Sequence, residues 1–370
     1  MSTTRYKAEK TAACWLATTL IASAVGTAAE VGPDAAEAFA TLCRERAEEA
    51  RQADLAVVRG MDNWLFLTSE LRHLGAGTFW GEAAQTVSAA PREDARDPLP
   101  VIVDTARQFR EQGIALLVVP VPPRAAVYAD KLWPKAPPEA AVGDVRPRLD
   151  ASLTAFYALL RTQGVEVLDL TDALQTARAE DAAEGPVYCQ QDSHWSSRGA
   201  AVAARQIATW IGERKAVGLG TLKTTLTSER AELSGDLWRL LGDDALPRET
   251  LPLLRVAGPD GTTIPVDPQA PVLVLADSHG LVFSAGGDMH AEGSGLSDHL
   301  AAALAMPVDL IARRGSAATS VRIDLARRTR ADPEFAAAKK VVVWCFAARE
   351  LTESAGWRDV PLFPPKATIP

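Results

Sequence analysis

Two short segments hold the residue types that nucleophilic acyl chemistry needs. The first, Asp277-Ser278-His279-Gly280, follows directly on the apolar run 271–276. If that run is a strand of an open parallel sheet, its carboxyl end is where such sheets bind ligands. A glycine two residues after the serine permits a sharp turn. The turn would present the hydroxyl and leave the serine's own N–H free to stabilise an oxyanion. Taken alone, Asp-Ser after a strand also reads as the N-cap of the next helix.

The second segment is Tyr188-Cys189-Gln190-Gln191-Asp192-Ser193-His194-Trp195. A serine hydroxyl needs a base, and imidazole is the side chain whose pKa suits that task near neutrality. The imidazole in turn needs a carboxylate to fix its tautomer and stabilise its charged form. Asp192 and His194, two residues apart in a loop, supply both. Of the 5 histidines, His73, His290 and His299 lack such a setting. His279 is the serine's neighbour in sequence and poorly placed to point back at it. The expected catalytic residues are therefore Ser278, His194 and Asp192.

The elements around these segments alternate. Residues 34–56 read as a charged helix, followed by a turn at Gly60-Met61-Asp62-Asn63 and an apolar strand from Trp64. A polar, proline-punctuated loop is expected over 82–98. Helices at 99–112 and 147–163 precede the apolar runs 114–120 and 165–170, and another helix is expected over 198–213. Residues 214–270 break the rhythm with prolines and hairpin-like turns and read as an insertion. Strands are expected again at 271–276, 308–311 and 340–346, with a basic helix near 319–330. Strands apolar throughout and joined by helices mean a parallel sheet covered on both faces.

Taken together, the motifs resemble the SGNH hydrolase superfamily in the arrangement of the alginate O-acetyltransferase family, where the Asp-x-His motif precedes the serine motif. Gly60-Met61-Asp62-Asn63-Trp64-Leu65-Phe66 is similar to that family's N-terminal glycine–tryptophan motif. Val119-Pro120-Val121-Pro122-Pro123-Arg124 is similar to its Pro-x-Pro segment, with Arg124 where lysine is usual. Asp192-Ser193-His194-Trp195, Gly199, Gly235-Asp236-Leu237 and Trp344-x-Phe346 also fit, over about residues 55–352. Departures are Ala276 for glycine, His279 for an aromatic residue and Cys345 for glutamate.

The resemblance implies a three-layer α/β, flavodoxin-like domain with permuted motif order. It also implies an acyl-serine passed to a sugar hydroxyl of an exopolysaccharide, with the acetyl donor supplied by a membrane-bound acyltransferase. Deacetylation by water, or polysaccharide binding without catalysis, are the alternatives. The expected second oxyanion donor is Gly315. Trp195, Arg124, Arg72 and Arg313, with Arg314 beside it, are expected at the substrate. Asp288, His290, Asp298 and His299 match no common metal-ligand spacing. No metal or cofactor is expected, because serine and histidine supply nucleophile and base.

The remaining signals concern compartment. Arg5, Lys7 and Lys10 precede an apolar or small run over 11–25 and the small residues Thr27-Ala28-Ala29, which is the layout of an export signal. Either it is cleaved after Ala29 or it stays as an inner-membrane anchor, and in both cases the protein is expected in a periplasm. The organisation expected is thus a signal over 1–29, an N-terminal extension over 30–98 and a catalytic domain over 99–370. A net charge of -8 excludes nucleic acid as a natural partner. Cys43, Cys189 and Cys345 form either one disulfide, Cys43 with Cys189, or three unpaired thiols.

Overall fold

A computed structural model describes residues 33–136, 147–332 and 334–364. The export signal expected over 1–29 lies outside the described residues. Nine strands are described: β1 (Val57–Arg59), β2 (Leu65–Leu67), β3 (Ala115–Val121), β4 (Glu166–Val167), β5 (Thr225–Glu232), β6 (Thr250–Ala257), β7 (Val272–Ala276), β8 (Asp309–Ala312) and β9 (Val341–Ala347). Five form the central sheet in the order β4-β3-β9-β7-β8, and every pairing in it is parallel.

The strand sequences decide which face each side chain covers, because successive residues point to opposite sides. Leu117 and Val119 of β3, Val272 and Val274 of β7, and Val341, Val343 and Cys345 of β9 face one layer. That layer contains the helices Pro33–Gln52, Ser197–Arg214 and Leu296–Leu304. Leu116, Val118, Leu273, Leu275, Val342 and Trp344 face the other, built from the helices Pro98–Glu111, Ala151–Thr162 and Ser320–Ala331. Every residue of β7 and β9 is buried, and each Val or Leu so covered contributes on the order of 2 kcal/mol. The result is the expected three-layer α/β architecture.

Helix boundaries follow local chemistry. Pro98–Glu111 opens with Asp97 accepting from the Leu99 N–H at 3.0 Å and a proline in the first turn, both favourable there. Ser196 caps Ser197–Arg214 by accepting from the Gly199 N–H at 3.1 Å. The strand expected over 165–170 is paired only at Glu166–Val167. Asp169 instead turns the chain, accepting from the N–H and hydroxyl of Thr171. The loop expected over 82–98 contains short helical turns at Gly81–Ala83, Ala84–Val87 and Glu93–Ala95.

Two smaller sheets brace the site. β1 and β2 form an antiparallel hairpin. Its turn places Asp62 and Asn63 at φ 52° and 65° with the Trp64 N–H on Met61 O at 3.0 Å, the geometry whose twist suits a hairpin. β5 and β6 pair antiparallel across the 214–270 segment, with the helix Asp236–Leu241 between them. Cys43, Cys189 and Cys345 are buried thiols, so the disulfide alternative gives way to the unpaired one.

Candidate active site

β7 ends at Ala276, and Asp277-Ser278 begins a turn over Ser278–Gly280. The Asp277 carboxylate pins this turn, accepting from the His279 N–H at 2.7 Å and from the Ala347 N–H, at the end of β9, at 2.7 Å. Ser278 is thereby fixed between two strand ends, and its N–H donates to no described residue.

The loop bearing the histidine is folded back on itself, with the Ser196 N–H on Val187 O and the Cys189 N–H on His194 O. It is held from several sides. Arg124 donates through Nη1 to the carbonyls of Cys189 (2.8 Å) and Asp192 (2.6 Å). Glu249 accepts the N–H groups of Gln190 (2.7 Å) and Gln191 (2.9 Å). From the β1–β2 hairpin, the Leu65 N–H donates to Gln190 O at 2.9 Å. Gly235 lies so close that a Cβ there would sit 2.1 Å from Gln191 O. The next residue, Asp236, accepts the Ser193 N–H at 2.6 Å and the Ser193 hydroxyl at 2.5 Å.

These supports bring Asp192 and His194 together with Ser278, which lies 84 positions beyond His194 in sequence. His194 Nε2 lies 2.7 Å from Ser278 Oγ, and His194 Nδ1 lies 2.6 Å from Asp192 Oδ1. All three are buried, with Ser278 8% exposed. Burial alone would raise the Asp192 pKa, but the His194 charge and the hydrogen bonds from His194 and His290 hold it well below the usual carboxylate range. Burial works against a proton on His194, yet Asp192, by charge and hydrogen bond, raises its pKa overall. An imidazole with one nitrogen on a carboxylate and the other on a serine hydroxyl can take the hydroxyl's proton.

The other expected residues fall differently. His279 does not face the serine as a base: its Nδ1 lies 3.0 Å from Asp277, and its ring stacks edge-on against His194. Trp195 is fully buried with its ring edge-on to His279, so it supports the site from beneath and offers no face to a sugar. Arg124, also fully buried, serves the loop carbonyls and reaches no solvent. Arg72 pairs with Glu353, Arg313 with Asp324 and Arg314 with Asp288. Gly315, at φ +91°, follows β8 in the loop whose Ser316 hydroxyl and Ala317 and Ala318 N–H groups donate to Glu350. The Gly315 N–H donates to no described residue.

Sequence reasoning missed Glu249 and His290. His290 Nε2 lies 2.9 Å from Asp192 Oδ2, a contact between residues 98 apart with no motif to announce it. Asp192, His194 and Asp236 also offer ligand atoms within 4.8 Å of one another. His194 Nδ1 is committed to Asp192, and both Asp236 oxygens to Ser193, so a cation would have to break that network. Beside the triad, Glu70, Tyr188, Ser193, His279 and Arg349, among others, line a crevice too narrow to admit a water molecule. A cavity of about 820 Å³ lies away from the triad, between Pro98–Glu111 and the segment 359–364.

Comparison with known proteins gives a consistent pattern. The family described as SGNH hydrolase-like domain, acetyltransferase AlgX, matches residues 57–348. The probable alginate O-acetylase AlgJ of Pseudomonas syringae pv. tomato is 28% identical over 202 residues, covering 53% of this chain and 44% of that protein. The chain thus spans less than half the length of the curated relatives it matches. Among solved structures, the O-acetyltransferase domain of Pseudomonas putida AlgJ superposes with a TM-score of 0.58 at 22% identity, covering 84% of this chain and 96% of that one. Pseudomonas aeruginosa AlgX does so with a TM-score of 0.50 at 18% identity, covering 80% and 67%. At these identities the structures support the fold.

Proposed function

The chain belongs to the SGNH hydrolase-like acetyltransferase family of AlgX, and from that membership we propose that it is an exported O-acetyltransferase acting on a polysaccharide through an acyl-serine. The observation that carries this reading is the unbroken hydrogen-bonded line from Asp192 through His194 to Ser278. In the first half-reaction His194 Nε2 takes the Ser278 proton while Oγ attacks the carbonyl carbon of an acetyl ester. The developing oxyanion is met by the N–H of Ser278 and, as second donor, that of Gly315. The tetrahedral intermediate expels the donor's oxygen, which leaves with the proton from His194. In the second half a sugar hydroxyl gives its proton to His194 and attacks the acyl carbon, and Ser278 recovers its proton as the acetyl ester of the sugar departs.

The relatives are named probable alginate O-acetylases, which supports a polysaccharide acceptor. The periplasm as its place rests on the basic and apolar N-terminal sequence. A membrane acyltransferase as the donor's source rests on the family resemblance. Among the described residues no helix is long and apolar enough to cross a membrane.

Intact-mass measurement after incubation with p-nitrophenyl acetate tests the nucleophile. The expected result is one acetyl group on Ser278, absent in Ser278→Ala, and its transfer to an added oligosaccharide. Hydrolysis that no acceptor diverts would make the chain an esterase. Absence of any adduct, with natural donors as well, would leave a polysaccharide-binding role.

A further inference from the structure

His290 stands in a backbone conformation that its side chain does not favour. Its φ of 75° and ψ of -66°, with the Ala291 N–H on Met289 O at 3.1 Å, define the strained form of the γ-turn. Residues carrying a Cβ persist in such states only where their surroundings over-determine them, and they cluster at functional sites. Here the surroundings are a fastened loop. The Phe283 N–H donates to Met289 O, the Gly286 N–H to Ala291 O and the Ser294 N–H to Phe283 O, and the Phe283 ring lies 5.4 Å from the imidazole. The strained turn carries His290 Nε2 to 2.9 Å from Asp192 Oδ2, on a side chain 7% exposed, while Met289 and Ala291 beside it pack against the core.

That contact completes the Asp192 carboxylate. Oδ1 accepts from His194 Nδ1 (2.6 Å) and from the His194 N–H (3.2 Å), and Oδ2 accepts from the Asp236 N–H (2.9 Å) and from His290 (2.9 Å). All four acceptor positions of the carboxylate are filled. An ionised carboxylate only accepts, so a neutral His290 must carry its proton on Nε2.

We propose that His290 is a positioning residue of the catalytic centre: by holding the outer oxygen of Asp192 it prevents the carboxylate from rotating away from His194. The proposal rests on the acyl-serine reading given above. Without His290, Oδ2 keeps one donor, and the carboxylate can turn toward whatever water enters the space.

The test uses the full chain, p-nitrophenyl acetate and two variants. His290→Gly removes the imidazole and relieves the turn; His290→Gln keeps an N–H of similar reach. The acylation rate constant of Ser278 is expected to fall roughly tenfold to a hundredfold in His290→Gly, the loss of one hydrogen bond to a charged group. The half-saturating ester concentration should stay within about twofold of wild type, and His290→Gln should recover most of the rate. Wild-type acylation by His290→Gly would overturn the proposal. So would equal slowing of both variants in step with a lowered melting temperature, the mark of a merely structural residue.

A second readout does not depend on acylation: the low-field proton resonance of the short His194–Asp192 hydrogen bond. It should shift or broaden in His290→Gly and stay in His290→Gln. If wild-type Ser278 takes no acyl group, the acyl-serine reading falls, and the resonance alone decides the role of His290. An unchanged resonance in His290→Gly then overturns it.

Discussion

At the scale of single residues, Asp192 does two jobs that one substitution can separate from folding. It orients His194, and it raises the imidazole's pKa against the opposing effect of burial. Asparagine in its place keeps the shape but presents an amide, so His194 loses both the charge and the correct tautomer. Acylation of Ser278 by Asp192→Asn should fall roughly a thousandfold to ten-thousandfold with the fold retained by circular dichroism. The pH profile carries the sign. His194 acts as a base only when neutral, so wild-type acylation rises with pH and levels off above its raised pKa, past the usual value of about 6.5. In Asp192→Asn burial remains and the larger raising charge is gone, leaving only that of Asp236, so the inflection must move down. An inflection that does not move would mean that another group sets it. The meeting of Ser278, His194 and Asp192 was legible in the sequence because a serine after an apolar strand and an Asp-x-His loop are local patterns. His290 and Glu249 were not, since each acts across tens of residues through one hydrogen bond. Arg124 was expected at the substrate because a guanidinium suggests a binding surface, whereas two loop carbonyls hold it inside.

At the scale of elements, the strand ends place the site, and buried carboxylates tie them together. Glu350, just beyond β9, accepts from the Ser316 hydroxyl (2.7 Å) and from the N–H groups of Ala317 (3.0 Å) and Ala318 (2.9 Å). It thereby fixes the loop after β8 that contains Gly315. Burial, and then the neighbouring Asp277 charge, push its pKa up to about 8. A carboxyl whose folded pKa exceeds its unfolded value of about 4.3 stabilises the fold fully below that value, and the stabilisation is lost as pH rises through about 8. Glutamine imitates the protonated form and does not titrate. The melting temperature of Glu350→Gln relative to wild type should therefore increase from pH 5 to pH 8.5; a constant difference would show that Glu350 stays ionised in the fold. The 214–270 segment repays a similar view. Its proline-broken sequence signalled an interruption of the α/β rhythm. What it could not signal is that Asp236 and Glu249, at the two ends of one stretch, both clamp the loop that carries His194.

At the scale of the whole molecule, the sheet was legible nearly strand by strand, because strands buried on both faces leave continuous apolar runs that little else produces. The acceptor is a matter of long-range charge. The chain carries a formal net charge of -8, and Arg72, Arg313 and Arg314 are each paired with a carboxylate. An anionic polysaccharide approaching such a body meets repulsion beyond contact distance. Salt screens that repulsion, the Debye length shrinking from about 20 Å near 20 mM to under 10 Å near 200 mM ionic strength. If the acceptor is anionic, acceptor-dependent release of the acetyl group from Ser278 should rise with salt by roughly twofold to fivefold, as encounter is relieved. A neutral oligosaccharide should show no such rise, and acylation by the uncharged ester p-nitrophenyl acetate should stay flat as the internal control. A rate that falls with salt for the anionic acceptor alone would instead require a local basic surface strong enough to outweigh the net charge. The direction of the salt effect thus reports the field the acceptor meets, independently of how fast the triad works.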